Sequence, residues 1–305
     1  MKKRYEKPFI TRHDGGVINK FGDVQVTEIG STIEGLRVAD LIKQYGSPLY
    51  VYSERKIREK HRELMDVFSL RYPRVQHAWS YKTNYLQAIC RQFHRLGSWA
   101  EVVSSMEYEM AKKLEVPPSR IVVNGPYKPY AMLKEAIRDG AMVNLDSTEE
   151  IYDLEKVAAE LNQSAPVQAG IRVNMALGNY MAWDRFGFNI DSGEAVRAVR
   201  RILSGGKIQL VGLHTHIGTF VLDPELYRLA AIRMIEFHRA IREEFGVRLR
   251  YIDLGGGFAS RNRLKGTYLS TSDTAPPFDR YAEAICGELL AAYKPNEHPL
   301  LILET

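Results

Sequence analysis

The chain has 305 residues, 45% of them hydrophobic and 26% charged, with a net charge of +5; this is the make-up of a globular protein of one large or two ordinary domains. Its basic residues are scattered rather than gathered into a stripe, which argues against a nucleic-acid partner and suits small anionic ligands. Cys90 and Cys286 form no disulfide framework, no run approaches the ~20 apolar residues of a membrane span, and Met1-Lys2-Lys3-Arg4 leads into no apolar signal segment, so a cytoplasmic location is expected.

Residues 1–47 are irregular, with Gly15, Gly16, Gly22, Gly30 and Gly35 between short apolar stretches, which suits strands and turns. After Gly46-Ser47-Pro48 the pattern becomes regular. Ile57, His61, Leu64, Phe68 and Tyr72 recur at helical spacing. Short apolar runs then alternate with helix-length segments, and the runs predict strands at 76–81, 99–103, 121–124, 142–145, 167–173, 209–214, 251–254 and 300–303. Ser104 with Glu107, and Ser147 with Glu150, have the spacing of capping boxes, and Asp223-Pro224 places a cap before a proline at the first helical position. Strands alternating with helices imply a parallel sheet, and eight of them suggest a closed (β/α)8 barrel of the α/β class, a long doubly wound sheet being the alternative.

The unusual polar residues follow or close these strands. Lys82 follows the first; Glu101 and Ser104 mark the second; Asn124, Asp146 and Arg172 with Asn174 mark the third, fourth and fifth. His214 and His216 end the sixth, Gly255-Gly256-Gly257 follow the seventh and Glu304 follows the eighth. In a barrel such positions converge on the C-terminal mouth, where barrel enzymes carry their active sites. Three consecutive glycines let backbone N–H groups surround a phosphate, the bland alternative being one tight turn. A lysine at the end of an apolar strand suits Schiff-base chemistry with an aldehyde, the alternative being an ordinary lysine that reaches solvent. His214 and His216 point to one side of a strand; with no third Cys or His ligand at a neighbouring strand end, no metal is expected. Glu304 closes an apolar run and needs a cationic partner, for which a protonated pyridine nitrogen would serve.

Five motifs in order resemble the alanine-racemase-fold decarboxylases that use pyridoxal 5'-phosphate (PLP), closest to diaminopimelate decarboxylase. Gly46 to Tyr52 (G-S-P-L-Y-V-Y) looks like the entry segment. Ser80 to Asn84 (S-Y-K-T-N) resembles the PLP-lysine motif, and Glu101 to Glu107 resembles the family's D-x-x-S-x-x-E with glutamate in the first place. Arg185-Phe186-Gly187 is similar to K-F-G, and Gly212 to Thr219 to G-x-H-x-H-I-G-S with threonine for serine. The resemblance implies that Lys82 carries PLP, that His216 stacks on its ring, that Thr219 and Gly255, Gly256 and Gly257 hold its phosphate, and that Glu304 faces its pyridine nitrogen. Glu101 and Arg172 belong to the same expected cofactor site. The activity implied is amino-acid decarboxylation of a diaminopimelate-like substrate, or of lysine, ornithine or arginine, by a homodimer when full length. A PLP-binding homologue without turnover, acting through protein partners, and a PLP-dependent racemase are the alternatives.

The family motif continues from Glu304 as E-P-G-R or E-T-G-R, whereas this sequence reads Glu304-Thr305. The expectation is therefore a barrel at 48–305 whose last helix and C-terminal β-domain are missing, with 1–47 as the segment that would join that domain. Such a chain would be inactive and would leave the apolar faces near Leu300 to Leu303 uncovered.

Overall fold

In the computed structural model the structure describes residues 31–162, 165–180, 184–260 and 275–305. The chain divides at Ser53/Glu54 into two compact units, the larger containing Glu54–Ser260 and Ala275–Thr305. In the smaller unit, strands Thr32–Ile33 and Leu36–Arg37 pair antiparallel and lead into helix Val38–Tyr45. Positive φ at Glu34 and Gly35 makes the tight turn between those strands.

The larger unit is the barrel. Its elements are α1 (Glu54–Ser69), β1 (Val75–Ser80), α2 (Gln87–Arg95), β2 (Trp99–Val102), α3 (Ser105–Lys113), β3 (Ile121–Val123), α4 (Tyr130–Asp139), β4 (Met142–Leu145) and α5 (Thr148–Leu161). They continue as β5 (Val167–Asn174), α6 (Glu194–Gly205), β6 (Ile208–His214), α7 (Pro224–Phe245), β7 (Tyr251–Asp253), α8 (Phe278–Ala292) and β8 (Leu300–Glu304). The eight barrel strands run parallel in sequence order, with a ninth, two-residue strand, Phe188–Asn189, alongside β5, and β8 pairs with β1 at Leu301↔Val75 through Glu304↔Ala78, which closes the cylinder. The doubly wound alternative is thereby ruled out. No helix among the described residues is long and apolar enough to cross a membrane.

The strands read as apolar runs because both faces are buried. Outward residues such as Val123, Leu145, Ile171, Leu213, Ile252 and Leu303 join the main core under the helices. Inward residues at the lower end form a smaller cluster of Ala78, Val122, Val211, Tyr251 and Ile302. Both cysteines are buried, and burial pushes the Cys90 thiol up to about 11 and the Cys286 thiol up to about 12.

The predicted helix starts are present with a variation. Ser104 Oγ and Ser147 Oγ accept from Glu107 N and Glu150 N at 3.3 and 3.4 Å. The two glutamates, however, take the N–H of the residue before the cap, Val103 at 2.7 Å and Asp146 at 2.8 Å. Each thus ties a helix start to the strand end that precedes it.

One expectation is corrected. The faces around β8 are covered, with Leu301, Ile302 and Leu303 fully buried. The cover comes from α1, which precedes the first strand and packs on β1, α2 and α8. Phe68 of α1 is fully buried, Tyr72 donates to Pro299 O at 2.8 Å, and Arg71 pairs with Asp279 at 2.6 Å. The reasoning from chain order failed because a barrel is circular: a helix before the first strand can occupy the seam that a helix after the eighth would otherwise fill.

Candidate active site

Period-two alternation turns Ser80, Glu101, Asn124, Arg172, His214, Asp253 and Glu304 toward the barrel interior near its C-terminal mouth. Registers Ser80↔Glu101, Arg172↔His214 and Asp253↔His214 place several of them side by side. Lys82, two residues beyond Ser80, reaches back over them. Its ammonium donates to Glu101 Oε2, with Ser80 Oγ at 3.4 Å and Glu304 Oε2 at 3.7 Å. Burial works against that charge, but Glu101 and Glu304 outweigh it and hold the lysine's pKa above its ordinary value.

Three carboxylates surround this one ammonium: Glu101, Asp253 and Glu304 are buried almost completely. Burial opposes ionisation of Glu101, yet Lys82 and the bonds from Ser80 and Asn124 keep its pKa below the usual range. Burial drives Asp253 the other way, up to about 7, and burial with the charges of Asp253 and Glu101 drives Glu304 well above the usual range. His214 Nδ1 lies 3.2 Å from Asp253 Oδ2 and 3.9 Å from Glu304 Oε1. Burial lowers His214 to about 4, so it adds no charge at neutral pH. The cluster is short of positive charge. Ligand atoms of His214, Asp253 and Glu304 lie within 4.8 Å of one another, and His214 Nδ1 and Asp253 Oδ2 have no hydrogen-bond partner despite their burial. Such a site accepts a cation or retains protons.

Above the cluster runs Gly255-Gly256-Gly257. The carbonyl of Gly255 accepts from Glu304 N at 2.9 Å, that of Gly256 from Tyr227 Oη at 2.9 Å and that of Gly257 from Val221 N at 2.8 Å. A trans peptide points its N–H opposite its C=O, so the N–H groups of Gly256, Gly257 and Phe258 turn away from those three donors. Glycine is required here: a Cβ on Gly256 would stand 2.7 Å from Glu304 O, and one on Gly257, at φ +97°, would stand 2.0 Å from Gly218 O. The loop after β6 abuts this turn and carries Thr219, which is exposed.

His216 is partly buried in the same mouth, and a Cβ on Gly255 would lie 3.0 Å from its Nδ1. Burial, with His214 and Arg172, lowers its pKa to about 3, so the ring is neutral. Arg172 pairs with Asp146 at 3.4 Å and lies over the Phe186 ring at 5.0 Å. A second buried pair, Lys128 with Glu150 at 2.8 Å, fixes the loops after β3 and β4: Lys128 Nζ donates to Gly125 O at 2.9 Å and Glu150 takes Asp146 N.

Lys82, Glu101, His214, His216, Glu304 and the triple glycine thus meet in one mouth. Sequence reasoning missed Asp253, although an aspartate between Ile252 and Leu254 carries the same signal that singled out Glu304. It also missed Asn144 and Tyr251 as inward polar groups.

A model of the pyridoxal binding domain of pyridoxal-dependent decarboxylases matches residues 54–305. The chain is 32% identical over 273 residues to diaminopimelate decarboxylase of Methanothermobacter thermautotrophicus, covering 88% of this chain and 61% of that one. It is 33% identical over 262 residues to diaminopimelate decarboxylase of Mycobacterium leprae, covering 82% and 54%. The crystal structure of diaminopimelate decarboxylase from M. jannaschii in co-complex with L-lysine superposes with a TM-score of 0.80 at 27% identity, over 90% of this chain and 64% of that one. The chain spans less than two thirds of each of these relatives.

Proposed function

The chain belongs to the pyridoxal-dependent decarboxylases, and from that premise we propose that it binds PLP in the C-terminal mouth of the barrel and serves the decarboxylation of an amino acid. The observation that carries this reading is the single ammonium of Lys82 set among three buried carboxylates beneath a glycine turn. The residues fit the cofactor. Lys82 would hold its aldehyde carbon. The glycine turn, free of side chains, lets backbone N–H groups approach a phosphate, with Thr219 on the adjoining loop. A pyridinium would give Glu304 the cation that the charge-poor cluster lacks, and the neutral ring of His216 suits stacking. When bound, PLP supplies an electron sink for the pair left as CO2 departs.

The chain's own residues have separable tasks. Glu101 orients Lys82 through their direct hydrogen bond. Asn124 Nδ2 holds Glu304 Oε1 at 2.6 Å. Asp253 Oδ1 accepts from Gly255 N at 2.9 Å and so fixes the first residue of the glycine turn. Asp146 holds Arg172 at the rim. Diaminopimelate, named by the relatives, is the first substrate to test, followed by lysine, ornithine and arginine; a cytoplasmic homodimer completes the reading.

Borohydride reduction of the full-length protein with PLP is expected to add the cofactor's mass to the peptide bearing Lys82 and to no other. Label on a different lysine, or none, sinks the assignment. Release of CO2 from diaminopimelate, lost in Lys82→Ala, tests the activity.

A further inference from the structure

Polar side chains are costly inside a barrel, yet a continuous line of them crosses this one. Tyr251 opens β7, at the end away from the site. Its hydroxyl donates to Asn144 Oδ1 at 2.6 Å, and Asn144 Nδ2 donates to Asn124 Oδ1 at 2.8 Å. Asn124 Nδ2 then donates to Glu304 Oε1 at 2.6 Å and to Glu101 Oε1 at 3.2 Å. Every member is buried.

The backbone makes room for this line. A Cβ on Gly212 would stand 2.0 Å from Tyr251 Cζ, and one on Gly170 would stand 2.3 Å from both the Tyr251 hydroxyl and Asn144 Oδ1. Both glycines lie within strands and neither has a positive φ. Glycine inside a strand weakens it unless another group needs the space. Here the group is the tyrosine.

The line has a direction. Burial, and then Asp253, raise the pKa of Tyr251, so its hydroxyl keeps the proton that it donates to Asn144 Oδ1. Given that donor, Asn144 presents its oxygen to Tyr251 and its nitrogen to Asn124. Asn124 in turn presents its nitrogen to the two carboxylates. With the order reversed, Asn124 would offer them an oxygen, and a carboxyl group could meet it only by keeping a proton.

We propose that Tyr251, Asn144 and Asn124 are positioning residues that aim an N–H at Glu304 and hold it as the hydrogen-bond acceptor for a cation in the site. The use of that acceptor rests on the cofactor reading above; the relay itself does not. Lys82, Glu101, His214 and Asp253 also face Glu304 and set its baseline ionisation. The relay adds a donor whose orientation is fixed from the far end of the barrel.

The test is the titration of Glu304 in the cofactor-free full-length protein, followed by its infrared carboxyl band and assigned with Glu304→Gln. Asn124→Leu is expected to raise the apparent pKa by about 1–2 units, the effect of one hydrogen bond to a charged group. Tyr251→Phe, which keeps the ring, should raise it by a smaller amount. In the Asn124→Leu background Tyr251→Phe should add nothing. If Asn124→Leu does not fold, Asn144→Leu breaks the same line and carries the same expectation. A Tyr251→Phe protein that loses thermal stability while Glu304 titrates as before overturns the proposal, and so do additive shifts in the double variant. Expected shifts in a protein that takes up no PLP would support the relay while sinking the cofactor reading.

Discussion

Replacing Asp253 by asparagine tests the electrostatics of the cluster without needing any ligand. Asp253 is wholly buried, and its pKa rises from 3.8 to about 7 on folding. Because the folded pKa lies above the unfolded one, the folded chain binds the extra proton, and stability falls as pH climbs from about 4 to about 7, then levels. About three pH units at about 1.4 kcal/mol each make the cost about 4 kcal/mol at neutral pH. An asparagine in its place would keep an oxygen for Gly255 N–H and has no proton to lose. His214 works in the opposite sense: its folded pKa of about 4 lies below the ordinary 6.5, so it adds stability as pH rises through that interval. It lies 3.2 Å from Asp253, and the charge of Asp253 also acts on Glu304, so the difference between the two proteins reports Asp253 together with its pull on both neighbours. Urea unfolding of the cofactor-free protein at steps from about pH 4.5 to 8 is therefore expected to show the variant gaining on the parent by about 3 kcal/mol across the range, the rest of the difference lying below pH 4.5. Parallel curves would refute the claim that Asp253 is held protonated by burial.

The glycine turn is expected to be intolerant: Gly257→Ala meets Gly218 O at 2.0 Å with φ at +97° and should cost more than about 2 kcal/mol in thermal unfolding, together with loss of PLP affinity. Gly287 in α8 has nothing within 4 Å, so Gly287→Ala should gain about 0.5–1 kcal/mol in the same assay. Lys128→Met leaves Glu150 buried without its cation and should cost about 3–5 kcal/mol by urea unfolding, much of it recovered in the double variant Lys128→Met/Glu150→Gln. His216→Ala should weaken PLP binding measured by absorbance, whereas chelators should leave binding and turnover untouched; activity lost to a chelator and restored by zinc would move the cluster to metal chemistry.

The eight strands were legible because each is an apolar run buried on both faces, bounded by glycine or a cap. The residues of the candidate site could be singled out for a related reason. Lys82, Glu101, His214 and Glu304 are polar residues at the ends of apolar runs, and a barrel gathers strand ends. What the sequence hid depends on register. Tyr251 reads as one more strand aromatic, and its fit against Gly170 and Gly212 appears only when β5, β6 and β7 lie side by side. Likewise, periodicity reveals that the helix bearing Leu64 and Phe68 has an apolar face but not which neighbour that face meets.

The seam between β8 and β1 has a kinetic consequence. The residues that lock it are far apart along the chain: Tyr72 and Pro299, joined by a hydrogen bond, are separated by 227 positions. Loop closure over such a distance is entropically expensive and slows folding. During synthesis β1 and its covering helix emerge before the other barrel strands, and the edge of β1 that β8 will pair with has no partner until β8 leaves the ribosome. For that interval the nascent barrel is an open sheet with an unpaired strand, the kind of intermediate on which chaperones act.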